Sequence, residues 1–198
     1  MKTIKKPVEA QINIKKSNFI ARLYPAKDKK EVKKIIEEVS TRYSDATHNC
    51  TAYIVSDSQG YDDNGEPSGT AGKPMMNVLI KNNLSNIVAI VTRYFGGIKL
   101  GAGGLVRAYS HSILKAIEEA EIVNMELFNI YEAIFDYENI KEFDSELRKY
   151  NLKVIKKDYN VKVTYLIASN QIDIISNIEE KLQSDVKIDL IKKDYLEI

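Results

Sequence analysis

All nine glycines of this 198-residue chain lie between Gly60 and Gly104. Glycine adopts positive φ without a steric penalty and lets the backbone approach another group closely. Two of the four prolines, Pro67 and Pro74, lie in the same window. The window reads GYDDNGEPSGTAGKP, then a short apolar stretch, then RYFGGIKLGAGGLVRAY. Glycines confined to one part of a chain indicate that this part does something other than fold.

The composition is that of a globular protein. Hydrophobic residues make up 44% and charged residues 29%, and no apolar run approaches the roughly 18 residues that span a bilayer. The net charge of +1 does not by itself indicate a nucleic-acid partner. The N-terminal lysines are not followed by the apolar segment of a signal peptide, and a single cysteine forms no internal disulfide. We therefore expect a cytoplasmic protein that makes no membrane contact.

The first part of the chain alternates between extended and helical patterns. Residues 8–24 predict two short strands, and Asp28 is placed to cap a helix whose apolar residues recur at helical spacing. HNCTAYIV predicts a strand, and SDSQGYDDNG predicts a polar turn. TAGKPMMNVLIKNN predicts a short helix that Pro74 breaks near its start. NIVAIVTRYF, apolar on both faces, predicts a central strand, and residues 103–121 predict a long amphipathic helix.

From about residue 126 the pattern changes to strand, helix, strand, strand, helix and strand. This order is that of a ferredoxin-like split βαβ unit. We therefore predict an α+β protein of two domains, residues 1–125 and 126–198. The boundary rests on the change of pattern, because no low-complexity linker separates the two parts.

The run GAGGLVRAY lies between the predicted central strand and the long helix. Backbone N–H groups and the helix dipole make such a junction a candidate site for phosphate or carboxylate. Lys99 precedes the loop, and Arg107, His111 and Lys115 share one face of the helix that follows. The alternative is a tight strand–helix connection with a solvated basic face. The run matches neither the Walker A motif nor the dinucleotide fingerprint.

The strand end RYFGG combines a cation with two aromatic rings, which suits phosphate contact and stacking on nucleobases. Alternation places Tyr94 on one face and Arg93 and Phe95 on the other. We expect Arg93 to contact a ligand and Phe95 to belong to the core. The predicted anion and nucleic-acid site comprises Arg93, Tyr94, Gly96, Gly97, Lys99, Gly101, Gly103, Gly104, Arg107 and His111.

The run DDNGEPSGTAGKP offers three carboxylates, those of Asp62, Asp63 and Glu66. Such groups bind hard cations or act as acids and bases, but the spacing of an EF-hand is absent. Asn64-Gly65 is a strong turn signal, so the alternative is a turn with solvated carboxylates. The small residues that follow leave space for another chain or a ligand.

His48 and Cys50 alternate on one predicted strand, so both side chains point to the same face. A buried cysteine is commoner in a strand than a Cys–His nucleophile pair. Two histidines and one cysteine in the whole chain do not favour a structural zinc site. We therefore predict no catalytic residue, no metal site and no cofactor.

Three motifs together resemble the signature of the YigZ/IMPACT family. They are AxHNCxAY at 46–53, GEPSGTAGKP at 65–74 and VTRYFGGIKLGAGGLVRAY at 91–109. KSNFIARLYPA at 16–26 is similar to that family's opening, so the resemblance covers about residues 8–125. It implies that the N-terminal domain has the fold of the second domain of ribosomal small-subunit protein five. The C-terminal part resembles the second domain of bacterial members, which is similar to an elongation factor G domain.

The resemblance implies a role in translation. Eukaryotic members regulate the activation of a kinase that phosphorylates an initiation factor, and bacterial members are thought to bind RNA or the ribosome. The family commonly has two aspartates directly before Gly-Glu-Pro, whereas here Asn64 follows Asp62 and Asp63. This departure weakens a metal or acid–base role for the pair. The residues that match the family motifs are His48, Asp63, Glu66, Pro67, Ser68, Gly69, Thr70, Gly72 and Lys73.

We therefore expect a translation-associated protein that binds RNA, the ribosome or a translation factor through its glycine-rich face. One alternative is an enzyme acting on a phosphorylated small molecule or nucleotide. Gly101–Gly104 would then hold the phosphate, and Asp63 or Glu66 would bind a metal or act as a base. Another alternative is a protein-interaction adaptor. The sequence does not indicate an oligomeric state.

Overall fold

The computed structural model describes residues 1–56, 58–182 and 186–198. It divides into two compact units, Met1–Asn124 and Met125–Ile198. The first unit has apolar clusters on both sides of its sheet, and the second has a cluster of its own. None of the described helices is long and apolar enough to cross a membrane.

The first unit is built on a five-stranded antiparallel sheet. Its strands are β2 (Val8–Ile14), β3 (Ser17–Pro25), β4 (His48–Val55), β5 (Ser58–Asp62) and β6 (Ile87–Tyr94). Their spatial order is β2-β3-β6-β4-β5. A short strand β1 (Lys2–Ile4) pairs instead with residues 122–124, the start of β7 (Ile122–Phe135). The predicted central strand is confirmed, because β6 lies between β3 and β4.

Helices cover both faces of this sheet, which explains why β6 is apolar on both sides. They are α1 (Lys29–Arg42), α2 (Gly72–Lys81) and α3 (Ala102–Glu118). Ala89 and Val91 of β6 face the core beneath α2 and α3, whereas Val88 and Ile90 face the core beneath α1. Burying an aliphatic side chain contributes about 1.5–3 kcal/mol, so β6 anchors the unit.

Most helix predictions for this unit are confirmed. Asp28 caps α1 by accepting a hydrogen bond of 2.8 Å from the Glu31 N–H. The predicted break at Pro74 is wrong, because Pro74 is the third residue of α2. A proline in the first turn costs no intrahelical hydrogen bond. The long helix ends at Glu118 rather than at residue 121.

The predicted turn SDSQGYDDNG is wrong over Ser58–Asp62. These residues form the edge strand β5, paired with Thr51–Val55 of β4. A polar edge strand is stabilised by its backbone ladder and needs no apolar pattern, which is why the sequence reads as a turn. Asp57 of this run lies outside the described residues.

The second unit has the predicted βαββαβ order. After β7 come α4 (Ile140–Lys149), β8 (Lys153–Tyr159), β9 (Val163–Ser169), α5 (Ile172–Leu182) and β10 (Val186–Glu197). The strand order β10-β7-β9-β8 is antiparallel throughout, as in a ferredoxin-like split βαβ unit. The sequence predicts the second helix of this order over NQIDIISNIEEKLQ, residues 170–183, and Gln183 lies outside the described residues.

Candidate functional site

Both glycine-rich loops leave the same end of the first unit's sheet. One follows β5 and leads into α2, and the other follows β6 and leads into α3. His48 at the start of β4 pairs with Arg93 near the end of β6. The AxHNCxAY motif, which contains His48, therefore lies at the same end of the sheet. At this end of the sheet, the residues predicted to be functional form two groups, a buried cluster and an exposed basic surface.

The buried cluster begins with a tight turn. Asn64 and Gly65 have φ of 45° and 85°, and the Glu66 N–H donates to the Asp63 carbonyl across 3.0 Å. Positive φ at both central residues is the reason for Asn-Gly in such a turn. The turn predicted from these two residues is confirmed.

The Asp63 carboxylate organises the small residues that follow. It accepts hydrogen bonds from the N–H groups of Gly69, Ala71 and Gly72, at 2.7, 3.0 and 2.8 Å. Burial disfavours the charged carboxylate, but these three hydrogen bonds outweigh it and hold the pKa of Asp63 below its usual value. Asp63 is half-buried, and its charge holds the loop against the start of α2, so the expectation of a freely solvated carboxylate is wrong for this residue.

Close packing accounts for one of the small residues. A Cβ on Gly72 would lie 3.0 Å from the backbone N and O of Asp62 and from the carbonyl oxygen of Thr51. The start of α2 therefore sits directly on β4 and β5. Glycine is needed at this position for contact within the unit, whereas the sequence suggested space for a ligand.

Glu66 lies at the centre of the buried cluster. Only 8% of the residue is exposed, and its Oε1 accepts hydrogen bonds from Arg93 Nη1 at 2.5 Å and from the Tyr109 hydroxyl at 2.8 Å. His48 Nε2 lies 3.9 Å from Glu66 Oε2. The Nδ1–H of the same ring donates to the Asn64 carbonyl across 2.8 Å. Glu66 is thus an internal acceptor, and the expectation of a solvated carboxylate is wrong here as well.

The burial of Arg93 corrects its expected role. The residue is 5% exposed, and besides Glu66 it contacts Ser17 Oγ at 3.4 Å. A guanidinium in this position is not available to a phosphate at the surface. Phe95 is 46% exposed, so the expectation that it belongs to the core is also wrong. Tyr94 does lie on the opposite face, where its hydroxyl donates to Asp45 Oδ1 at 3.1 Å.

Cys50 is fully buried beneath the same turn. Its Sγ donates to the Asp63 carbonyl at 3.0 Å and lies 3.3 Å from the Tyr109 hydroxyl. Burial raises the pKa of the thiol to about 12, so the thiolate needed of a nucleophile does not form near neutral pH. Within the described parts of the chain no group of three His, Cys, Asp or Glu side chains is arranged to hold a metal ion.

The remaining motif residues lie on the outside of this loop. Pro67 and Ser68 are exposed, and Thr70 is buried with its hydroxyl donating to the Pro67 carbonyl at 2.6 Å. Lys73 is exposed on the first turn of α2. The GEPSGTAGKP motif is therefore a structured entry to α2 with one buried acid.

The second group of predicted residues forms an exposed basic surface at the start of α3. Gly101, with φ of 73°, precedes the helix, and a Cβ on Gly101 or Gly103 would meet nothing within 4 Å. A cleft of about 410 Å³ lies beside it, between α3 and the end of β2. Gly104, Arg107 and His111 line this cleft, whereas Lys99 is exposed in the loop that precedes the helix.

Two further cations at this surface are not evident from the sequence. Lys15 and Lys16 form the turn between β2 and β3, with φ of 46° and 68°, and Lys15 lines the cleft. A Cβ on Gly96 would lie 2.0 Å from the carbonyl C and O of Lys16, so this turn packs against the RYFGG strand end. Two adjacent lysines carry no glycine or asparagine turn signal, which is why the pattern did not reveal them.

Comparison with known proteins agrees with the motifs. The Impact N-terminal domain matches residues 15–117. The chain belongs to the IMPACT family. It is 38% identical over 193 residues to the IMPACT family member YvyE of Bacillus subtilis, covering 93% of this chain and 89% of that protein. It is 35% identical over 167 residues to the family member YigZ of Escherichia coli, covering 82% of each.

The family likeness extends through both units. A solved structure, described as that of a hypothetical protein, superposes with a TM-score of 0.68 at 29% identity. It covers 96% of this chain and 97% of its own. The family predicted from the three motifs is confirmed, and the two-domain α+β arrangement agrees with this match.

Proposed function

We propose that this IMPACT family member acts in translation, in the cytoplasm, by binding RNA through its basic surface. The basic surface consists of Lys15, Lys16, Lys99, Arg107 and His111. The ribosome is the assembly that the family resemblance favours as the source of that RNA. The same resemblance relates the N-terminal domain to ribosomal small-subunit protein five and the C-terminal domain to elongation factor G.

Uncompensated charge is the observation that carries this proposal. Lys15, Lys16, Lys99 and Arg107 are exposed, and none of them forms an ion pair with a carboxylate among the residues that the structure describes. On α1, by contrast, Lys33 pairs with Glu37. Cations without carboxylate partners are free to neutralise phosphates, and the counterions that phosphates release favour binding.

Two further features suit RNA at this surface. The first N–H groups of α3 lie beside Gly101 and Gly103, where a Cβ would meet no other atom within 4 Å, and a helix start attracts anions. The exposed Phe95 ring in the loop before α3 offers a face for stacking a base. Arg93 is outside the proposed contact surface because its charge is paired with Glu66.

The enzyme alternative lacks a free acid or base at the positions on which it depends. Asp63 is held by three backbone N–H groups, and Glu66 is held by Arg93 and Tyr109. Neither carboxylate is presented to a ligand at the α3 helix start. RNA binding requires no such group, so it fits the arrangement better.

A filter-binding titration with mixed cellular RNA across a salt series tests the proposal. We expect affinity to fall as salt rises, and Arg107→Ala to weaken binding and reduce the salt slope by about 1. Lys15→Ala should act in the same way. The matched control is Lys30→Ala, an exposed lysine on α1 across the sheet. Absence of binding at low salt, or an Arg107→Ala protein indistinguishable from the parent, would reject the proposal.

A further inference from the structure

A second groove in the first unit lies between α2 and α3, on a different side of α3 from the basic surface. Its volume is about 540 Å³. Lys73 and Lys81 of α2 line one wall, and Val106, Ser110 and Leu114 of α3 line the other. On α3, Val106 and Ser110 of the groove each precede a residue of the basic surface, Arg107 and His111, by one position. One position corresponds to about 100° around the helix, so a ligand in the groove need not contact Arg107 or His111.

Along the wall formed by α3, side chains of different size follow one another at regular spacing. Val106, Ser110 and Leu114 are four residues apart, so they form one row along the helix, about 12 Å from end to end. Val106 is 37% exposed and Leu114 is 42% exposed, with the small Ser110 between them. A large–small–large row leaves a notch, and such notches accept a side chain from a packed helix.

The wall formed by α2 supplies charge. Lys73 and Lys81 are exposed, eight residues and therefore about 12 Å apart along the helix. Neither has a carboxylate partner within the described parts of the chain, and no described residue lining the groove is acidic. Positive charge at both ends of a partly apolar groove complements a partner that carries carboxylates.

We propose that this groove binds an amphipathic helical segment of a partner protein. One apolar side chain of that segment sits over Ser110, and its Asp or Glu residues pair with Lys73 and Lys81. Docking of an amphipathic helix into a groove is a recurring mode of recognition. A protein fits better than RNA, because none of the described residues that line the groove has an aromatic ring on which a base would stack. This surface is additional to the proposed RNA surface.

Selection from a phage-displayed library of random helical peptides against the immobilised full chain tests this inference. We expect enriched peptides to combine apolar residues at helical spacing with Asp or Glu. The most enriched peptide is then synthesised with a fluorophore, and its affinity is measured by anisotropy. Ser110→Phe, which fills the notch, should weaken binding about tenfold or more, as expected for a central anchor. Lys73→Glu should also weaken it, and the effect should shrink at high salt.

Arg107→Ala serves as the matched control and should leave peptide affinity unchanged. Ser110→Phe should retain RNA binding in the filter assay, so the two proposals fail separately. If Ser110→Phe does not fold, as judged by its circular dichroism, Leu114→Asp at an exposed position replaces it. Enrichment without acidic residues, equal affinity for the Ser110→Phe or Leu114→Asp protein, or full displacement of the peptide by RNA would each overturn the inference.

Discussion

Glu66 and Arg93 are separated by 27 positions in the chain, yet they form a buried ion pair. Tyr109 donates to the same carboxylate oxygen, and His48 lies on its other side. One residue or more from each of the three family motifs thus meets at Glu66. Charged residues are almost never fully buried unless they are paired. The sequence alone does not reveal that two charged residues 27 positions apart form such a pair. That is why both residues were expected at the surface.

Removing one partner of this pair should be costly. We expect Arg93→Met to lower the free energy of unfolding of the first unit by about 3–5 kcal/mol, because it leaves the Glu66 charge buried without its cation. Hydrogen exchange of the buried β6 amides measures the free energy of unfolding of the first unit. The double variant Glu66→Gln, Arg93→Met should lose less than the two single variants together. A loss below about 1 kcal/mol, as for an exposed pair, would contradict the prediction.

Asp63 makes the stability of the first unit depend on pH. Its pKa is lowered in the folded protein, so its contribution is complete above the unfolded pKa of about 4 and is lost as pH falls toward the folded value. Asp63→Asn should therefore cost about 1–3 kcal/mol at neutral pH. In acid, where the parent also loses the charge, the difference should shrink.

Urea denaturation at several pH values, followed by circular dichroism, measures the effect. The matched control is Asp62→Asn, because Asp62 is exposed and makes one backbone contact with Asn64. A difference between Asp63→Asn and the parent that does not change between neutral and acid pH would contradict the assigned charge.

Within the loops and helix starts of the first unit, the glycines have several distinct structural roles. Gly96 lies against the backbone of the β2–β3 turn, and Gly65 and Gly101 supply positive φ. Gly103 is the second residue of α3, and a Cβ there would meet nothing within 4 Å. The sequence reveals that glycines are pooled, but not which of them a neighbour or a φ angle requires, because both depend on how the loops fold back.

Alanine substitutions separate these cases. Gly96→Ala should destabilise the first unit by at least about 1–3 kcal/mol, since its Cβ would lie 2.0 Å from the Lys16 backbone. Gly103→Ala should stabilise it by about 0.5–1 kcal/mol, because helical alanine loses less entropy on folding. Urea denaturation measures both. Equal effects of the two substitutions would show that the close approach at Gly96 does not limit that position.

At the scale of the whole molecule, the two units bury separate sets of apolar side chains. Phe19, Leu79 and Ile113 belong to the first unit, and Phe135 and Phe143 belong to the second. The first unit also includes Ile122–Asn124, which pair with β1. We propose that the first unit folds as an independent domain, provided that this pairing is retained.

Two truncations test the domain proposal. Residues 1–124 should fold cooperatively and retain the RNA affinity and salt slope of the full chain. Residues 1–121, which lack the partner of β1, should unfold at a lower temperature, because Ile4 on β1 is buried in the core. Differential scanning calorimetry measures both. Equal stability of the two fragments would contradict a structural role for this pairing.

The family, the two-part α+β organisation, the central strand β6 and the βαββαβ order of the second unit were all predictable from the sequence. These features follow from local periodicity, turn chemistry and motif content, which are written in neighbouring residues. The three-dimensional fold was needed to show that Glu66 and Arg93 are internal, that Lys15 and Lys16 belong to the basic surface, and that Ser58–Asp62 form a strand. Each of these depends on contacts between distant segments, and no local pattern encodes burial or pairing across such separations.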